Sequence, residues 1–201
     1  MAVASRGSGA GRATESLMMR GSVLRGITRA VAEADLLEAV RAAVSDDVKL
    51  LIDDPPLSVR WISHGAMEEI AVAAAGLVGL RQWGDIAYAA ARDSILPILR
   101  GPCESFLRLF GATPVTLLTR MDAITALSVR GLHWRFAPSS ERDGDLTIAF
   151  EGCKGVPPPL FHGTAQSVRL IFDLTGYPGL VQAIEIGDDG ARNTATCRVR
   201  W

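Results

Sequence analysis

Three stretches near the C-terminus, Leu132 to Phe136, Leu146 to Phe150 and Ala195 to Trp201, alternate apolar and polar residues almost without a break. A period of two sends successive side chains to opposite faces, so each stretch predicts a strand with one buried face. Leu180 to Ile186 adds a fourth strand, joined to the last through Gly187-Asp188-Asp189-Gly190 as a hairpin. Between the two pairs the period changes. From Pro159 to Gly176, Phe161, Ala165, Val168, Ile171 and Phe172 share one helical face, and Gly176 with Pro178 ends the helix. The order strand-strand-helix-strand-strand predicts an antiparallel sheet with a helix laid on it. Trp201 falls on the apolar face with Cys197 and Val199, so the chain is expected to end inside its core.

The N-terminal half reads differently. Met19 to Leu24 predicts a short edge strand added to the later sheet. From Thr28, Val31, Leu36, Leu37, Val40 and Val44 recur at helical spacing, with an end before Ser45-Asp46-Asp47. Asp53-Asp54-Pro55-Pro56 makes a second break. Ser58 is placed to cap a helix running to about Gly79, whose later part, AVAAAGLVGL, is apolar almost all round and therefore central. Trp83-Gly84-Asp85 opens a further helix that Pro97 kinks or divides, and a short helix is expected at about Cys103 to Phe110. Thr113 as N-cap followed by Pro114 gives the clearest helix start in the chain, running to about Leu127. These readings predict an α+β fold. A mainly helical lobe of about five helices spans residues 17–130, and the sheet with its helix spans 131–201. The small, polar, Gly/Ser-rich residues 1–16 read as a disordered tail.

Composition narrows the classes of function. With 21 basic against 22 acidic residues, the net charge of -1 gives no electrostatic footprint for nucleic acid and no polybasic membrane patch. The longest apolar stretch, Ile70 to Leu80, is too short to span a bilayer. Three scattered cysteines, Cys103, Cys153 and Cys197, make no disulfide framework and fit a reducing cytoplasm.

Motifs for catalysis are missing: there is no P-loop, GxSxG, HExxH, CxxC or GxGxxG. The three histidines, His64, His133 and His162, lack a close ligand pair, so no metal and no cofactor is expected. His133 should point to solvent, and His64 and His162 read as ordinary polar residues near helix starts. Lys154 beside Cys153 would favour a thiolate, but no companion base accompanies them. Asp85, Tyr88 and Arg92 fall on one helical face at offsets that bring them together. Two readings stay open for them: an anionic-ligand or partner-docking face, or a structural network capping and tying the helix. Arg169 and Asp173 form a second helical pair read as surface.

The segments MRGSVL, WGDIAYAAARDSILPIL, LFGATP and TCRVRW resemble a paralogous family of about 200 residues in myxobacteria and related deltaproteobacteria, a domain of unknown function. More distantly, the order of elements is similar to haem–NO-binding and vinyl-reductase-like folds. That resemblance implies a cavity between helical lobe and sheet. The chain lacks the Tyr-x-Ser-x-Arg signature of the haem-binding branch, so the pocket, and not haem, is the expectation. The expected protein is a cytoplasmic, non-enzymatic sensory or interaction module. It holds a small apolar ligand between the helix from Trp83 and the strands bearing Trp134 and Phe136, or docks a partner protein, with a homodimer as the natural place for surplus apolar surface. A purely structural domain and an enzyme with a scattered site are the alternatives.

Overall fold

The structure is a computed structural model that describes residues 17–97, 100–101, 105, 113–187 and 193–201. The predicted tail, the helix at Cys103 to Phe110, Cys103 itself and the tip of the last hairpin lie outside the described residues.

The chain opens with β1 (Met18–Arg20), which passes directly into α1 (Gly21–Glu33). The predicted strand to Leu24 is therefore cut short. Val23, Leu24, Ile27, Ala30 and Val31 form a buried stripe at helical spacing, and that long stripe outweighs a brief alternation. The predicted continuous helix from Thr28 is also divided. Asp35, with φ of 59°, breaks it, and α2 (Leu37–Ala43) follows. The helix ends before Ser45-Asp46-Asp47 as expected, and the two aspartates then start α3 (Asp46–Asp53), a helix the periodicity did not indicate. Two carboxylates in a first turn favour a helix start through the dipole. Ser45 precedes them and gives its N–H and hydroxyl to Glu69, at 2.7 and 3.0 Å.

No helix begins at Ser58. Trp61–Ser63 forms β2, pairing antiparallel with β1, and β3 (Val129–Arg130) takes the other side of β1. Trp61 lies between two guanidinium groups, Arg20 at 4.2 Å and Arg130 at 4.1 Å, which favours the extended pairing. β1 thus belongs to a small sheet of order β2-β1-β3, separate from the C-terminal sheet it was expected to join. The two helices expected to meet near Gly79 are the two segments of α4 (Gly65–Ser94), which part at Gly79, where φ is 82° and ψ is 163°. α4 ends before Pro97.

Thr113 caps α5 (Pro114–Leu118) as predicted, accepting the Thr116 N–H, and α6 (Met121–Thr125) completes that stretch. The C-terminal half follows the expectation closely. β4 (Leu132–Pro138), β5 (Asp143–Phe150), β6 (Leu180–Ile186) and β7 (Thr194–Arg200) form an antiparallel sheet of order β4-β5-β7-β6. Leu146, Ile148, Phe150, Ala195, Cys197 and Val199 are its buried face. The predicted single helix is α7 (Pro158–Ser167) and α8 (Arg169–Thr175), parted at Val168 and closed by Gly176 at φ 73°. Trp201 is only half-buried, with its ring 6.0 Å from Phe136, so the chain ends at the margin of the core and not within it.

α4 is gripped on two sides. Gly26 of α1 lies so near that a Cβ there would sit 2.6 Å from the Ser94 Cβ. On the other side Gly163 of α7 lies against Trp83, whose indole N–H donates to the Pro159 carbonyl at 2.7 Å. Among the described residues, no helix is long and apolar enough to cross a membrane.

The corner between β1 and α1 yields a first prediction. Gly21 is buried with its N–H bonded to the Arg60 carbonyl, and a Cβ there would run into the Leu57 carbonyl and come within 3.0 Å of the Pro56 carbonyl. Backbone cannot step aside as a side chain can. Gly21→Ala should cost about 1–3 kcal/mol, read as a lower midpoint in urea unfolding with the slope unchanged.

Candidate functional site

α1, both segments of α4, α6, β4, α7 and α8 line a partly open cavity of about 110 Å³. Its wall is formed largely by aliphatic and aromatic groups, among them Val23, Ile27, Leu132, Leu160 and Ile171, and among the described residues no charged side chain lines it. The elements reach it for simple reasons. α1 and α7 close on α4 through glycines, and the alternation of β4 turns Leu132 and Trp134 toward the helices while His133 and Arg135 face outward.

Several polar atoms in the wall are satisfied locally. The Ser94 hydroxyl donates to the Ala90 carbonyl at 2.6 Å, that of Thr125 to Met121 at 2.9 Å, and that of Ser167 to Thr164 at 2.6 Å. Three are not. His64 Nδ1, Ser128 Oγ and Trp134 Nε1 are buried and have no hydrogen-bond partner, although the residues carrying them are only 5%, 1% and 8% exposed. The backbone holds each in place: the His64 N–H donates to the Leu17 carbonyl, the Ser128 carbonyl accepts the Arg20 N–H, and the Trp134 N–H donates to Asp122 at 2.5 Å. The His64 ring stands 6.0 Å from Phe150, itself edge-on to Phe161 at 5.2 Å. This apolar surrounding disfavours an imidazolium and pulls the His64 pKa down to about 4.

Of the residues singled out from sequence, Trp134 lines the cavity. Phe136 lies one step further along β4 on the same side, half-buried against Trp201, and does not line it. Asp85, Tyr88 and Arg92 do share one face of α4, and α8 supplies two partners for them. Arg169 binds Asp85 at 2.7 Å and stacks on the Tyr88 ring at 4.0 Å, while the Tyr88 hydroxyl donates to Asp173 at 2.6 Å. Arg92 pairs with Asp93 at 3.3 Å. The group ties α4 to α8, and the Arg169–Asp173 pair read as plain surface is part of that tie. Burial, then Asp173, raises the Tyr88 pKa, so its hydroxyl keeps its proton as a donor.

Other candidate chemistry is quiet. The Cys153 thiol is pushed up by burial and then by Glu68, against the lowering that Lys154 would give, and burial pushes Cys197 up to about 12. His133 is exposed and lies 3.2 Å from Glu151. Among the described residues no group of three His, Cys, Asp or Glu side chains is placed to hold a metal. His64 was expected to be an ordinary polar residue and is instead enclosed, because β2 and the start of α4 fold over Leu17 and Phe150. Neither it nor Ser128 carried a signal in the sequence, since one residue's burial is set by tertiary packing.

The enclosed imidazole makes stability depend on pH. The unfolded chain takes up a proton near 6.5, whereas folded His64 resists until about 4. Its contribution is thus complete above pH 6.5 and falls away as pH drops toward 4, by about 3 kcal/mol in all. Half-buried His162, also lowered by burial, adds to the same trend. Urea unfolding of a His64→Asn variant between pH 7 and 4 should show a shallower decline than the parent.

No family model and no curated protein matches the chain. Solved structures do. An Fe(II) unliganded H-NOX protein from K. algicida superposes with a TM-score of 0.61 at 10% identity, covering 90% of this chain and 96% of that one. A variant of Tt H-NOX gives 0.61 at 11% identity, covering 90% and 94%. An oxygen-binding H-NOX domain related to soluble guanylate cyclases gives 0.56 at 12%, again covering 90% and 94%. At such identity the likeness concerns architecture, and the chain has an H-NOX-like fold.

Proposed function

We propose that this chain is a cytoplasmic, non-enzymatic sensory module that takes a small, largely apolar ligand into the cavity between helical lobe and sheet, and that it does so without haem. The observation carrying this reading is the cavity itself, lined by elements from both halves of the fold and, among the described residues, by no charged side chain. Filling it changes packing on α4, α7 and β4 together, which is what a sensor needs to convert occupancy into a shift between states.

The haem that the fold family implies does not fit the residues present. A cavity of about 110 Å³ is near the roughly 150 Å³ that holds benzene or xenon and well below the 300 Å³ or more of a cofactor-sized pocket. Among the described residues no arginine or lysine lines it to meet the propionates, and His64 is the lone imidazole on its wall. Haem added to the purified protein should leave the spectrum of free haem, and a stoichiometric, ligated Soret band would overturn this part of the reading.

Cyclopentane tests the rest. Binding to the folded state raises the melting temperature with ligand concentration by mass action. We expect such a rise, and we expect Ala91→Leu, which places extra carbon in the wall, to remove it. No rise up to the solubility limit would overturn the cavity reading. A second reading, self-association, is favoured by Val72 and Leu77, which stand 48% and 50% exposed on α4. Sedimentation velocity over a range of protein concentrations tests it, a dimer lost in Leu77→Glu being the supporting result and a concentration-independent monomer the contrary one.

A further inference from the structure

Five buried side-chain atoms among the described residues lack a hydrogen-bond partner, and three of the five, on His64, Ser128 and Trp134, belong to residues of this one cavity wall. Each buried, unpaired polar atom costs about 1–3 kcal/mol, and all three have almost no accessible surface, so a molecule entering the hollow pairs with them as the side chains around it adjust. The donor set restricts the visitor. An indole N–H can only donate, a hydroxyl can donate or accept, and a neutral imidazole offers one donor and one acceptor. Trp134 therefore calls for an acceptor atom. No charged side chain lines the wall among the described residues, which argues for a ligand that is itself uncharged, since an ion moved here would lose hydration that those residues do not replace.

We propose that the ligand is a small neutral molecule, mostly hydrocarbon, that carries an acceptor oxygen such as a carbonyl, and that Trp134 Nε1–H and the Ser128 hydroxyl donate to it beside His64. This rests on the cavity reading above and adds the chemical class. The apolar wall supplies affinity in proportion to hydrocarbon buried, and the polar atoms set which molecules are accepted. A molecule with no acceptor leaves the indole N–H unpaired.

A pair of matched rings separates this proposal from the reading beneath it. Cyclopentane and cyclopentanone differ by one oxygen. Both are titrated into the full chain and into Trp134→Phe and Ser128→Ala, with the tryptophan indole N–H resonances followed by NMR; Trp134→Phe also identifies the Trp134 signal. We expect cyclopentanone to bind, to move the Trp134 indole resonance, and to lose at least about fivefold in affinity in one or both variants. The loss is read relative to cyclopentane in the same variant, so that a change in the apolar wall, which affects both rings, cancels. The protonated cyclopentylammonium ring should not bind, and its binding would overturn the neutral class. If cyclopentane binds while cyclopentanone does not, or binds with the indole signal unmoved and both variants unaffected, the acceptor proposal is wrong and the cavity reading stands; water then satisfies the three atoms. If neither ring binds, the cavity reading itself fails. Ser128→Ala keeps the test open should Trp134→Phe disturb folding, since it removes a single oxygen.

Discussion

The bond from the Trp83 indole to the Pro159 carbonyl marks the contact on which the rest depends. It lies where α7 crosses α4 over Gly163, and α4 is the element that α1 and α8 also pack against. Trp83 is fully buried and brings a large apolar ring to that crossing, while its one polar atom finds its partner on the neighbouring helix. A larger residue at position 163 would push α7 away. Because α7 packs on β6 of the sheet, the spacing between the helical lobe and the sheet follows from this one crossing.

The cavity is what that spacing leaves over. Close approach at Gly26 on one side and Gly163 on the other fixes α4, but the small side chains that allow it, Ala87, Ala90 and Ala91, do not fill the space toward Trp134 and Leu132. The surface network of Asp85, Tyr88, Arg169 and Asp173 then binds α4 to α8 from outside. Its charges are exposed, so the ion pair adds little by itself. The stacked ring and the tyrosine hydroxyl add geometric definition to that edge.

The parts of this fold that were legible in sequence are those where a period repeats often enough to be counted. β4, β5, β6 and β7 each keep one face apolar over several residues, and the helix after Pro158 shows its stripe plainly. β2 and β3 are three and two residues long, too brief for any alternation to show, and they exist because β1 lies between them. The same division runs through the site. Trp134 was identifiable because the strand's alternation sends it inward. His64 and Ser128 were not, since each owes its enclosure to chain segments distant in sequence. Asp85, Tyr88 and Arg92 were correctly placed together by helical spacing, but their partners on α8 could not be named from spacing alone.

The interruption at Gly79 decides the reach of α4. Thirty residues of unbroken helix would make a rod of about 45 Å, as long as a domain of this size is wide. Such a rod touches the cavity along one short stretch and carries its far end past the fold. With a left-handed residue in the middle, the element becomes two shorter beams. The first brings Met67, just after His64, to the cavity, and the second brings Trp83 through Ser94. A side chain at position 79 would press toward one continuous rod and draw one of the two beams off the hollow, so a residue with no contact to any ligand determines how much wall the ligand meets.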